Sequence, residues 1–104
     1  LRVKQALLSA ALVTILSTTL TVKATAYCLQ GYTRTGTYTS RGTIAVDPRV
    51  IPLGSIVYIE GFNGYYVAED TGSGVIGSHI DIWFDDCNSA IQFGVQYLEV
   101  TWTN

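Results

Sequence analysis

The sequence predicts an all-β fold, a small barrel or sandwich of six strands with one short helix. Two observations carry this. Runs rich in Val, Ile, Tyr and Trp recur along the chain from Ala24 onward, and Gly, Asp, Asn and Pro separate them at the spacing of a small β-domain. The 104 residues allow one domain, and 48% hydrophobic against 13% charged residues excludes a disordered chain. No internal repeat, heptad run or low-complexity tract is present.

Strands are expected at 24–28, 43–47, 55–60, 65–70, 79–84 and 96–102. Asp47-Pro48 and Ile51-Pro52-Leu53-Gly54 follow the second as turn chemistry, with Pro48 forcing Asp47 into extended backbone. The third and fourth flank Gly61-Phe62-Asn63-Gly64, whose glycines and Asn allow the positive φ that a hairpin loop needs. In the fifth, His79-Ile80-Asp81-Ile82-Trp83-Phe84, alternation places Ile80, Ile82 and Phe84 on one face and His79, Asp81 and Trp83 on the other. A helix of one or two turns is expected at 88–93, with Asp85, Asp86 or Asn88 as N-cap and Gly94 as its stop.

Residues 1–23 read differently. Arg2 and Lys4 precede an apolar stretch at 6–22, the pattern of a secretory signal, so the domain proper is expected at 24–104. Six hydroxyl residues dilute the stretch, and its length is at the lower limit for a membrane span, so a retained membrane anchor is the minority reading. Ala24-Thr25-Ala26 resembles a cleavage site and also begins the first expected strand. For an exported, extracytoplasmic chain, Cys28 and Cys87 read as one disulfide, with two buried thiols as the alternative. Those two cysteines and the single His79 do not make up the four ligands of a structural zinc site, and no cofactor is implied.

The formal net charge is −2, but residues 24–104 carry three Arg against eight acids. No basic stripe exists for nucleic acid to follow. Neutral sugars and cell-wall polymers tolerate such a surface.

Three acids sit where strands meet loops: Asp47, Asp70 and Asp81. Asp81 shares a strand face with Trp83, a pairing that suits a sugar: an indole can stack on a pyranose, and a desolvated carboxyl can stay protonated as a general acid. After Asp70, the run Thr71-Gly72-Ser73-Gly74-Val75-Ile76-Gly77 holds three glycines, which suits close approach of a ligand to the main chain. Asp70-Thr71-Gly72-Ser73 superficially resembles the aspartic protease signature. That reading is rejected, because Ala68-Glu69 is not the hydrophobic pair those enzymes need and only 34 residues follow Asp70.

A better match runs through Ala24-Thr25-Ala26-Tyr27, Ala45-Val46-Asp47-Pro48, Ile51-Pro52-Leu53-Gly54, Val57-Tyr58-Ile59, Ala68-Glu69-Asp70-Thr71-Gly72, Ile80-Asp81-Ile82-Trp83-Phe84, Ala90 and Phe93-Gly94. In order and spacing this resembles the three-aspartate (3D) domain family of secreted bacterial proteins, related to the catalytic domain of membrane-bound lytic transglycosylase A. The resemblance implies a six-stranded double-psi β-barrel that cleaves peptidoglycan glycan strands. It places Asp81 as the catalytic acid, Asp70 and Asp47 as supporting carboxylates, and Thr71 and Gly72 in the substrate-facing loop. Trp83 and Tyr27 are candidates for stacking on sugar. The family pattern after Asp-Thr-Gly continues Gly-Ala-Ile-Lys-Gly, whereas Ser73-Gly74-Val75-Ile76-Gly77 lacks the Lys and is followed by Ser78-His79.

Hydrolysis of a glycoside commonly needs two carboxyls, whereas lytic transglycosylation can proceed with one that acts first as acid and then as base. Asp70 is the expected like charge that raises Asp81, and the two are expected to titrate as a pair if they share a proton. The alternative is a wall-binding or signalling module that does not cut. Either a monomer or a strand-exchanged homodimer suits so small a barrel.

Overall fold

The computed structural model describes residues 16–103. Its strands are β1 (Ser17–Tyr27), β2 (Thr43–Val46), β3 (Ile56–Ile59), β4 (Tyr66–Asp70), β5 (His79–Trp83) and β6 (Gln96–Thr103), with one helix, α1 (Cys87–Phe93), between β5 and β6. They close into a barrel in the order β1-β5-β2-β4-β3-β6. β1 runs parallel to β5 and β2 parallel to β4, while the remaining neighbours are antiparallel. Non-sequential parallel pairs need crossover connections, which set this ring apart from an up-and-down barrel and fit the expected all-β class.

Inward residues alternate with outward ones on every wall. Val22 and Ala24 of β1, Ile44 and Val46 of β2, Val57 and Ile59 of β3, Ala68 of β4, Ile80 and Ile82 of β5, and Val100 and Trp102 of β6 make the core. The β3–β4 hairpin forms as expected, with Gly61 and Gly64 at φ 79° and 76°. Asp86 is the N-cap of α1, accepting from Asn88 N at 3.1 Å and Ser89 Oγ at 2.9 Å, and Gly94 ends the helix at φ 64°. Asp85 has a different task, a bidentate pair with Arg41 at 2.8 and 3.0 Å.

The first strand differs from expectation. It begins at Ser17, not Ala24, so 17–23 belong to the barrel, while 1–15 of the leader-like segment lie outside the described residues. The hydroxyls that dilute the apolar stretch explain this. Thr19 and Thr21 face solvent while Leu20 and Val22 turn inward, the alternation of a half-buried strand. Along this strand Ser17 pairs with Thr103 and every residue through Ala24 has a partner on β6.

Cys28 and Cys87 are bonded, with their Cα atoms 5.2 Å apart, tying the end of β1 to the start of α1. The link spans 59 residues. Closing such a loop removes about 4 kcal/mol of unfolded-state freedom. A Cys28→Ser, Cys87→Ser chain is therefore expected to lose about 2–4 kcal/mol in urea unfolding, with folding retained at low temperature.

Candidate functional site

The site is a row of side chains on the outer wall of the barrel. Thr25 of β1 is in register with Asp81 of β5, Asp81 with Ala45 of β2, and Ala45 with Asp70 of β4. Residues directly opposite one another share a face, so the two carboxylates flank the Ala45 methyl, with Cα atoms roughly 10 Å apart across two strand spacings.

Alternation alone would not bring Asp70 there. Ala68 points into the core, and a regular strand would send Asp70 the same way. The register shifts between Ile44 and Ala45, so that Ile44 opposes Ala68 but Ala45 opposes Asp70. Glu69 is the extra residue of this β-bulge. The bulge turns Asp70 outward beside Glu69, one of the ways such irregularities re-aim a side chain next to a site.

Each carboxylate has its own hydroxyl. Tyr27 Oη donates to Asp70 Oδ2 at 3.1 Å, and Thr25 Oγ1 donates to Asp81 Oδ1 at 3.0 Å. Asp70 Oδ1 accepts further from the backbone N–H groups of Arg34 at 3.0 Å and Thr71 at 2.9 Å. Arg34 lies in the connection between β1 and β2, which reaches over this wall and donates Thr35 N to Glu69 O at 3.1 Å. Thr43 Oγ1 holds the Glu69 carboxylate at 2.8 Å. Tyr27 is pushed well above the ordinary phenol range by burial and then by the negative charge of Asp70, so it serves as a donor throughout the neutral range.

Asp81 is half-buried, and burial raises its carboxyl above the ordinary range. The Thr25 hydrogen bond and the charge of His79 oppose that rise, while the Asp70 charge adds to it as the smallest of the four effects. Desolvation, rather than the expected like charge, is therefore the main lever. The two carboxyls do not hydrogen-bond each other; their distinct hydroxyl partners hold them apart.

Asp47 lies just past β2 and does another job. Its Oδ1 accepts from Arg49 N and Nε, both at 3.0 Å, and its Oδ2 accepts from Arg49 Nη2 and Gly77 N, both at 2.8 Å. The carboxylate thereby anchors the far end of the loop that leaves Asp70. Gly77 takes φ 72°, and Gly72 leaves room that a Cβ would fill only at 3.1 Å from Val75 Cγ2. The glycine-rich loop is thus a fastened turn.

Hydrogen bonding holds the Asp47 carboxyl well below the usual carboxylate range. A depressed folded-state pKa stabilises fully above the unfolded value of about 3.9 and is lost as pH falls through the folded value. Asp47→Asn is expected to lower the melting temperature at pH 7 and to narrow its gap to wild type at pH 2, as thermal unfolding at the two pH values will show.

Trp83 shares the outer face with Asp81 but is only 7% exposed, and its indole N–H donates to Leu29 O at 3.0 Å. It packs beneath the β1–β2 connection and does not offer an open stacking face. On its other side a cavity of about 320 Å³ opens between Arg41, Phe62, Tyr66, Phe84 and Asp85, with neither Asp70 nor Asp81 in its lining. Among the described residues, no group of His, Cys, Asp and Glu is arranged to hold a metal ion.

Thr25 and His79 were not among the residues singled out by sequence. The signal was present in the alternation that sets His79 and Asp81 on one face, but their shared partner comes from a parallel strand more than fifty residues away, which no local pattern reveals.

Comparison with known families matches the chain to the 3D domain over residues 42–104. Three proteins of Bacillus subtilis (strain 168) are similar to it. "Putative cell wall shaping protein YabE" is 41% identical over 90 residues, covering 78% of this chain and 22% of that protein. "Cell wall-binding protein YocH" is 42% identical over 90 residues, 78% of this chain and 31% of that protein. "SPbeta prophage-derived uncharacterized protein YorM" is 39% identical over 90 residues, 75% of this chain and 38% of that protein. The chain therefore spans well under half the length of each relative.

Proposed function

The chain belongs to the 3D domain family, and on that premise we propose that it acts outside the cytoplasm on bacterial cell wall, cleaving peptidoglycan glycan strands as a lytic transglycosylase. The observation that supports this most is the pair Asp81 and Asp70 on one outer wall, each on its own hydroxyl, with Asp81 half-buried and its carboxyl raised.

Asp81, protonated, donates to the oxygen that joins N-acetylmuramic acid to N-acetylglucosamine. The C1–O bond breaks as C1 gains oxocarbenium character, and the departing sugar keeps the proton. The Asp81 carboxylate then takes the proton of the muramic C6 hydroxyl while that oxygen bonds to C1, closing a 1,6-anhydro ring and restoring the acid. Asp70, fixed by Tyr27, Arg34 and Thr71, supplies negative charge towards the cationic C1, and Asp47 keeps the loop with Thr71 and Gly72 in place.

Incubating the purified chain with peptidoglycan and weighing the products by mass spectrometry tests this. Anhydromuropeptides are expected; reducing ends alone would mean hydrolysis, and no soluble product would remove the enzymatic reading.

A wall-binding role without cleavage is the second reading. The relative named for cell-wall binding and the aromatic-lined cavity beside Trp83 favour it. Co-sedimentation with peptidoglycan that persists in Asp81→Asn, with no product from either chain, would select it.

A further inference from the structure

We propose that Thr25 and His79 form a positioning pair for Asp81, in which His79 Nε2–H donates to Thr25 Oγ1, Thr25 O–H donates to Asp81 Oδ1, and the proton bound for the substrate is thereby confined to Oδ2. The inference rests on the reading of Asp81 as the acid.

Thr25 Oγ1 lies 2.8 Å from His79 Nε2 and 3.0 Å from Asp81 Oδ1, with Ile80 O more distant at 3.4 Å. A hydroxyl carries one hydrogen, so it donates in one short contact and accepts in the other. Only two polarities satisfy all three groups. In one, Asp81 bears its proton on Oδ1 and spends it on Thr25, which leaves nothing on Oδ2 for a glycosidic oxygen. In the other, the hydrogen on Nε2 directs the Thr25 hydrogen at Oδ1, and the acid proton occupies Oδ2. The imidazole tautomer thus selects which oxygen is the donor.

This polarity also serves the step itself. When the proton leaves Oδ2, negative charge spreads to Oδ1, where the Thr25 hydrogen already points; a donor aimed at developing charge needs no reorganisation. No other strand supplies such a donor to Asp81. β2 presents the Ala45 methyl beside it, and β4 presents the acids Glu69 and Asp70. β1 adds Tyr27, already committed to Asp70, and Lys23, which is in register with His79. Burial raises the Asp81 carboxyl, and the Thr25 donation is the largest effect opposing it.

The test uses the full chain with Thr25→Val, which keeps the β-branched shape, Thr25→Ser, His79→Gln and His79→Phe. Carbon-13 NMR of the Asp81 carboxyl gives the titration midpoint, and glycan cleavage against pH gives kcat and KM. In Thr25→Val the midpoint is expected to rise and kcat to fall about tenfold or more with KM little changed, the share of one hydrogen bond to a charged group. Thr25→Ser restores both. His79→Gln, whose amide N–H can replace Nε2–H, stays near wild type, and His79→Phe follows Thr25→Val.

An unshifted midpoint in a folded Thr25→Val chain overturns the pair, whether or not glycan is cut. Equal behaviour of His79→Gln and His79→Phe overturns the role of the imidazole hydrogen. A shifted midpoint in a chain that cuts no glycan supports the hydrogen-bond polarity and overturns only the enzymatic reading beneath it.

Discussion

Asp81→Asn is expected to slow glycan cleavage by about 10²–10⁴-fold, the contribution of a positioned general acid, while the barrel stays folded. The amide is the same size as the carboxyl and its Oδ1 still accepts from Thr25, so the substitution removes the proton donor and little else. Anhydromuropeptide yield by mass spectrometry measures the loss.

The same residue sets the pH dependence. Because burial lifts its carboxyl, the acid form persists above the ordinary aspartate value of about 3.9, and the wild-type rate falls as pH rises through the lifted value. The stability effect has the opposite sign to that of Asp47. The folded state holds this proton more tightly than the unfolded chain does, so the contribution is largest below the unfolded pKa and declines as pH rises through the folded one. Asp81→Asn is therefore expected to melt no lower than wild type at pH 7, which separates loss of chemistry from loss of fold.

Starting the chain at Ala24 is expected to abolish cooperative folding. Such a chain lacks the partners of 97–103 on β6 and the inward side chains Leu20 and Val22. Val22 is fully buried, and a side chain of that kind is worth about 1.5–3 kcal/mol in burial alone. β6 would also become an open edge along nearly its whole length, a template for aggregation. Circular dichroism and urea unfolding of chains that begin at Ser17 and at Ala24 will show a sigmoidal transition for the first and none for the second.

The contrast at Ala24 marks what sequence patterns could tell. Periodicity located β5 and its faces, because Ile80 and Ile82 are core and His79 and Asp81 are not. The hairpin glycines, the helix stop at Gly94 and the Cys28–Cys87 link were legible for similar reasons: each is a local preference or a pairing with few alternatives. The extent of β1 was not, because Leu20-Thr21-Val22-Lys23 satisfies the alternation of a strand and the mean hydropathy of a leader alike.

At the site, type and order singled out the three aspartates, but not their division of labour. Asp47 is spent on Arg49 and Gly77, Asp70 depends on a register shift at Ala45, and Asp81 depends on a hydroxyl from β1. These are consequences of pairing between distant segments. Trp83 shows the limit of alternation from the other side: it faces outward with Asp81, yet the chain after Cys28 folds over it and takes its N–H.

The pairing of Ser17 with Thr103 has a consequence for the order of events in a cell. A polypeptide that emerges from its amino end, whether from a ribosome or through a membrane pore, exposes β1 first and the strand that completes it last. The ring cannot shut until the carboxyl end is released, and contacts so remote along the chain assemble slowly. Until then the molecule travels open, the state in which a narrow translocation channel can pass it.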